Sequence, residues 1–316
     1  METFPLIELA IRQVYYFLID HRWIDIEKLR PFTKKKDFIH CNKNNLYPLF
    51  YKRVCELGIK QGDILIVHAS MEALSKLGVS PNKIIDDLFA LVGKSGTIAM
   101  PAFPLFRDKD FIDKGDSVLI PIYDTNKTLI STGLLASIFC RLKNTYRSPF
   151  PNNPLAANGL HAKNMMCNVW KGDLPHGKYS AWGYCAEYHA KVLFLGMYAY
   201  NRNTSEHIIE DFLDEQWPIK NWYIKKEYII RDQEKEFLVT IRERNSFKWS
   251  RYLTEHYHCK QLRKKGILQE EMFHGIPLGY INDLKDLFDY RLLQAKQGIT
   301  SYRVPRQYKK HYPKEK

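Results

Sequence analysis

The 316-residue chain contains no apolar run long enough to span a bilayer, so we expect no membrane-spanning helix. It has no basic n-region ahead of its first apolar stretch, and Arg12 interrupts that stretch, so no signal peptide is expected and a cytoplasmic location is. Its six cysteines, at 41, 55, 140, 167, 185 and 259, form no C-x-x-C pair. Such scatter excludes a disulfide framework and suits a reducing compartment. His256-x-His258 beside Cys259 has no further ligands at zinc spacing, so no metal is expected. Internal repeats and low-complexity segments are absent. Acidic residues are outnumbered, 35 against 48 basic, for a net charge of +13. That balance attracts anions and repels polycations. The basic residues are scattered into short runs, Lys34–Lys36, Arg263–Lys265 and Arg303–Lys316, rather than one stripe, which argues against nucleic acid.

A 45% hydrophobic content with 20 Tyr and 17 Phe is ample for a sizeable core. Leu6, Ile7, Leu9, Ala10, Val14, Phe17 and Leu18 recur near helical spacing, so residues 1–44 read as a helical N-terminal extension containing a basic loop over Phe32–Asn45. Tyr47–Lys60 reads as a helix closing on Gly58. Ile64–Val67 is a continuous apolar, mostly β-branched run, as in a strand buried on both faces. It leads into His68-Ala69-Ser70-Met71 and a helix over about 71–76. Ser70 is either a simple N-cap or part of a phosphate or carbonyl cradle at that helix start. Lys83–Val92 reads as a helix, Thr97–Met100 as a strand stopped by Pro101, Leu129–Leu142 as a helix and Ala190–Tyr198 as a strand. This alternation predicts an α/β fold, a three-layer α/β/α sandwich around a mixed sheet. Beyond Trp217 the segments Trp222–Ile224, Lys226–Ile230 and Glu236–Ile241 predict a β-rich part. Arg251–Lys265 and Ile281–Gln294 read as helices, and the polar stretch 303–316 as a flexible basic tail. The main domain is therefore placed at 45–302, with 217–302 as its extension.

The most informative stretch is Asn203-Thr204-Ser205-Glu206-His207-Ile208-Ile209-Glu210. His207 and Glu210 lie three apart just past a buried strand, and on a helix they share one face. A carboxylate beside an imidazole fixes its tautomer and raises its basicity, which prepares a general base. The competing reading is an ordinary i,i+3 pair on a capped surface helix.

The order of pieces from Tyr47 to Asp214 resembles the aminoglycoside 3-N-acetyltransferase family. The Val-His-Ser-Ser-type turn is Val67-His68-Ala69-Ser70. Val-Gly-x-x-Gly-Thr is Val92–Thr97, and the Met-Pro strand end is Met100-Pro101. The Arg-Ser-x-His-Pro element and its Ala-Ala-x-Gly continuation run from Arg147 to Gly159, and Gly-x-x-Ser-Pro is Gly177–Ala181. The Leu-Leu-Gly strand is Leu193-Phe194-Leu195-Gly196, and the Asn-Thr-x-x-His-x-x-Glu motif is Asn203 to Glu210. The chain departs from the pattern at Ala69, at Ala102 and Pro104 where threonines are usual, and at Phe150 where a histidine is usual.

The resemblance implies acetyl-CoA as co-substrate, held near His68, Ala69, Ser70 and Met71. Arg147 either serves a phosphate or pairs with a carboxylate, and His68 is either a coenzyme contact or a structural histidine. It implies His207 as the base for an acceptor amine, with Glu210 orienting it. Asn203, Thr204 and His176 are substrate-binding candidates, His176 with a plain loop histidine as the alternative. Because a chain of charge +13 should repel a polycation, we expect a nucleotide-linked amino sugar of surface-polysaccharide assembly as acceptor. The alternatives are an aminoglycoside antibiotic or a non-catalytic member. A small-molecule acceptor and no nucleic acid are the expected partners, with a homodimer left open.

Overall fold

The computed structural model describes residues 4–21, 46–113, 115, 119–200 and 203–310. The expected basic loop over Phe32–Asn45 and the last six residues of the expected tail lie outside them.

Among the described residues, thirteen strands form three sheets. They are β1 (Ile64–Ala69), β2 (Thr97–Pro101), β3 (Pro104–Leu105), β4 (Phe111–Asp113), β5 (Leu119–Asp124), β6 (Leu129–Ile130), β7 (Tyr146–Arg147), β8 (Leu155–Gly159), β9 (Lys191–Leu195), β10 (Tyr223–Asp232), β11 (Lys235–Arg244), β12 (Leu268–Phe273) and β13 (Ile276–Ile281). The main sheet runs β12-β13-β9-β1-β2-β8-β7. Its centre is parallel, with Ile64 opposite Thr97 and Leu65 opposite Lys191. Both flanks are antiparallel.

The pleat explains the layering, because successive side chains on a strand leave opposite faces. Leu65, Val67, Met100, Leu193 and Leu195 pack against helices Tyr47–Cys55, Pro81–Val92 and Leu134–Phe139. Ile64, Ile66, Ala99, Val192 and Phe194 pack on the other side, against helices Ala181–Glu187, Glu255–Lys264 and Leu284–Lys296. The result is a mixed sheet between two helical layers. A central strand covered on both faces has no polar face to show, hence its unbroken apolar sequence.

The β-rich part divides in two. The hairpin β10–β11 joins β5 and β4 in a second, four-stranded sheet over Tyr123, Phe150, Tyr228 and Ile230. The hairpin β12–β13 instead extends the main sheet, and Ile281, expected to open a helix, ends β13. The expected helix from Leu129 starts only at Leu134. Gly133 before it holds φ +105°, which a right-handed helix cannot continue through, and Leu129–Ile130 pairs with β3.

Residues 303–310, expected to be loose, are packed. Val304 and Tyr308 join a cluster with Trp222, Trp249 and Tyr302, and Lys309 bridges to Ile219. Aromatic partners donated by distant segments override the polar composition. No helix among the described residues is long and apolar enough to cross a membrane.

Candidate active site

The turn after β1 is shaped by Gly196. Its φ is +72°, and a Cβ there would stand 2.9 Å from Ala73 Cβ and 3.0 Å from the Ser70 carbonyl oxygen. Without one, the end of β9 closes on the turn and Ser70 N–H donates to Leu195 O at 2.9 Å. Ser70 occupies the N-cap position of the short helix Met71–Leu74, yet its hydroxyl caps none of the helix amides.

A cavity of about 460 Å3 opens at this turn. Val67, His68, Met100 and Pro101 form its floor, Ala69, Ser70, Met71 and Glu72 one wall, and Ser131–Ala136 the other. Two helix starts, at Met71 and Leu134, therefore border one space, and first-turn amides have no intrahelical acceptor. The sequence gives no sign of the 131–136 wall, since a helix over Leu129–Leu142 with a cap near Ser131 or Thr132 hides the break at Gly133. The ring of His68 is nearly buried, with its centroid 5.0 Å from that of Phe194 and the planes 19° apart.

Arg147 is placed differently from the expected phosphate or carboxylate role. Its Nε and Nη2 donate to Ala102 O at 3.0 and 2.6 Å, its Nη1 donates to Thr128 O at 2.7 Å, and it lies over the Tyr123 ring. A guanidinium spent on backbone carbonyls ties strand ends together and presents no fork to a ligand. Phe150 is likewise buried in the core of the second sheet, against Trp170.

Thr204 lines the large cavity and begins the 3-10 turn Thr204–His207, which continues as the helix Ile208–Leu213. Across that turn His207 Nδ1 meets Glu210 Oε1 at 2.9 Å. The His207 side chain keeps 19% exposure and that of Glu210 only 5%. Arg244, at the end of β11, brings Nη1 to 3.3 Å from the same Nδ1 and hydrogen-bonds the Tyr302 hydroxyl. Burial, helped by the Arg244 guanidinium and then by the neighbouring His176, drives the His207 pKa well below 6.5. Burial pushes the Glu210 carboxyl up, against the pull of the Arg244 guanidinium. The imidazole is thus held neutral near pH 7. Nδ1 faces Glu210, which leaves Nε2 as the nitrogen available to take a proton.

A second imidazole stands beside the first. His176 is buried, and its ring centroid lies 5.5 Å from that of His207. Asp211 Oδ2 takes both its backbone N–H, at 2.9 Å, and its Nδ1, at 3.1 Å. Tyr223 OH donates to Asp211 Oδ1 at 3.1 Å, and Asn153 Nδ2 lies 3.3 Å from His176 Nε2. Consecutive acids on one helical turn therefore each hold a histidine. Asn203 is turned away from the large cavity, its Oδ1 accepting from Ser205 Oγ; it lines a small cavity with His207, Glu206 and Glu255.

Arg244, Asp211, Tyr223 and Tyr302 were not singled out in the sequence. For Arg244 a signal existed. Arg242 and Arg244 are two apart on a strand and share a face. Arg242 forks Asp173 at 2.6 and 2.9 Å and Asp214 at 2.7 and 2.9 Å, pinning β11 beside the histidine loop.

A sequence profile described as aminoglycoside 3-N-acetyltransferase matches residues 66–282, more than two thirds of the chain. The chain belongs to that family. The aminoglycoside N(3)-acetyltransferase IV of Salmonella sp is 29% identical over 158 residues, 50% of this chain and 56% of that protein. The aminoglycoside N(3)-acetyltransferase IX of Micromonospora chalcea is 29% identical over 153 residues, 45% and 54% of the two chains. The chain thus spans about half the length of the curated relatives it matches. Among solved structures, AAC-IIIb in binary complex with CoASH superposes with a TM-score of 0.66, covering 81% of this chain and 97% of that one at 20% identity, a likeness of fold.

These relatives overturn the expected nucleotide-linked amino sugar of polysaccharide assembly, since both curated ones are named for aminoglycosides. The physical error was to read pocket charge from chain charge. Glu72 lines the large cavity, and Glu206, Glu210, Asp211 and Glu255 line the small ones beside His207. Much of the basic excess sits instead in terminal runs such as Lys34–Lys36 and Arg303–Lys316.

Proposed function

We propose that the protein is an acetyl-CoA-dependent N-acetyltransferase whose acceptor is an amine of an aminoglycoside. One observation carries the reading: a neutral, carboxylate-held imidazole in the turn that also lends Thr204 to the 460 Å3 cavity. The names of the curated relatives support the acceptor, and the CoASH complex of the structural relative supports the donor.

The acyl donor lies in the cavity between the two helix starts, with His68, Ala69, Ser70 and Met71 along one side. The acceptor amine enters from the His207 side, where the carboxylates favour a polycation. An ammonium must lose a proton before it attacks. His207 Nε2 takes it as nitrogen bonds to the thioester carbonyl carbon, and Glu210 steadies the imidazolium that forms. The carbon–sulfur bond then breaks and the proton passes to the departing thiolate. Ser70 Oγ, which caps no helix amide, and the amides of the 71 turn are the donors nearest a developing oxyanion. His176, fixed by Asp211, and Thr204 hold the acceptor on the other side. Arg147 has no contact with donor or acceptor.

The test is thiol release from acetyl-CoA with a panel of aminoglycosides. Release that needs both substrates and disappears in His207→Ala is expected. Absence of turnover with every aminoglycoside, in a protein that binds coenzyme A, would leave the non-catalytic alternative standing.

A further inference from the structure

The N-terminal helix Pro5–Asp20 is amphipathic the wrong way round. It lies ahead of the family-matched region and docks through its polar groups. Arg12 Nη2 meets Glu255 Oε2 at 3.2 Å, Gln13 Nε2 donates to Arg251 O at 2.9 Å, His256 N–H donates to the buried Glu8, and Asp20 pairs with Arg251 at 3.0 Å. Its apolar side faces outward: Phe4 is 61% exposed, Leu6 66%, Ile7 50%, Ile11 53%, Val14 58% and Phe17 49%. At 100° per residue the exposed positions fall within one half of the helix circumference, and Glu8, Arg12 and Gln13 lie on or at the edge of the other half. Burying charge inward while presenting a continuous apolar half to water is costly for an isolated chain.

We infer that this face is the dimerisation surface of the protein, covered by the same helix of a second copy. Positions 7, 11, 14 and 18 repeat at alternating steps of four and three, the a/d spacing that seats one helix against another, and Ile7, Ile11, Val14 and Leu18 fill them all, with Phe4 one step ahead at the N-cap. A two-fold axis makes such a seam its own complement. Ile7, Ile11 and Val14 in that seam are each half exposed or more, so the surface a partner helix would cover is open. Other occupants fit less well. The apolar half carries no lysine or arginine, whereas a helix lying on a membrane combines its apolar side with basic residues that meet lipid headgroups. The inference is independent of the acetyl-transfer reading.

Sedimentation velocity of the full chain over a concentration series tests it. The expected result is a species of twice the 37.4 kDa chain mass. Ile7→Glu/Val14→Glu should weaken association by about 100-fold or more, since it places two charges in the seam of each copy. The milder Ile11→Ala/Val14→Ala should weaken it by roughly tenfold or more, which covers the case in which the charged variant fails to fold. Both substitutions lie on the outward side, so thermal unfolding of the monomer and thiol release should be unchanged. A wild-type chain that stays monomeric throughout overturns the proposal, as does a dimer that survives both variants. Co-flotation of a monomeric wild type with phosphatidylcholine–phosphatidylserine vesicles would do the same and identify a membrane as the occupant.

Discussion

Replacing Glu210 by glutamine keeps the shape of the side chain and removes its charge. In the native site His207 Nδ1 faces Glu210 Oε1 at 2.9 Å and Arg244 Nη1 at 3.3 Å. The carboxylate accepts the Nδ1 proton and so leaves Nε2 bare. A glutamine amide can donate to Nδ1 instead, and Arg244 already favours a bare Nδ1, so the ring would move its proton to Nε2. The base is then blocked before the reaction begins, and an imidazolium, if formed, sits by Arg244 with no compensating carboxylate. Loss of a positioned base is worth about 10²–10⁴ in rate. With tautomer and charge both affected, kcat for acetyl transfer should fall roughly 10³-fold, or about 4 kcal/mol of barrier. KM for acetyl-CoA should change little, because Glu210 lies outside the 460 Å3 cavity. The assay is thiol release with an aminoglycoside at saturating acetyl-CoA, with the fold of the variant checked by its melting curve. A loss of less than tenfold in a well-folded variant would refute the assignment of His207 and Glu210 as a base pair.

Further outcomes follow from the same geometry. Because burial and then Arg244 hold His207 well below 6.5, protonation of the imidazole should set no acid limb near pH 6.5; loss of the Glu210 charge, which burial moves above the usual carboxylate range, should set it instead. Arg244→Gln removes the cation, raises the His207 pKa and should move the acid limb to higher pH, as a pH–rate profile would show. Asp211→Asn should weaken the hold on both the backbone N–H and Nδ1 of His176, raising KM for the acceptor more than it lowers kcat; equal KM in both proteins would remove His176 from acceptor binding. Arg147→Met should cost roughly 2–4 kcal/mol of stability in chemical denaturation, because the Ala102 and Thr128 carbonyls lose a charged donor, while calorimetric affinity for coenzyme A stays the same. Gly196→Ala should cost about 1–3 kcal/mol and weaken coenzyme A binding, since the new Cβ meets Ala73 and the Ser70 carbonyl at the cavity wall.

The central strands and their flanking helices were legible because each is specified by its own sequence. Ile64–Val67 can only be buried on both faces, and Lys83–Val92 carries its apolar stripe at helical spacing. The His207–Glu210 contact was legible for the same reason, since three residues on one turn are neighbours whatever lies around them. β12 and β13 were missed: Leu268–Ile281 mixes polar and apolar positions, as an edge hairpin does, and its strand character comes from pairing with β9. Gly133 was read through, which extended a helix over the residues that wall the cavity.

By itself, then, the sequence determined the central strands, the helices that flank them and their order, and the one histidine–carboxylate pair whose partners are local. Tertiary structure decided everything that depends on which segments meet. It gave Arg147 to backbone carbonyls, set His176 and Asp211 beside His207, brought Arg244 across from β11, and turned the apolar side of the first helix outward. The physical reason is one of range. Helical and strand periodicities act over a few residues, whereas pocket charge and the environment of a buried imidazole are sums over groups far apart in the chain, and net composition is no guide to such sums.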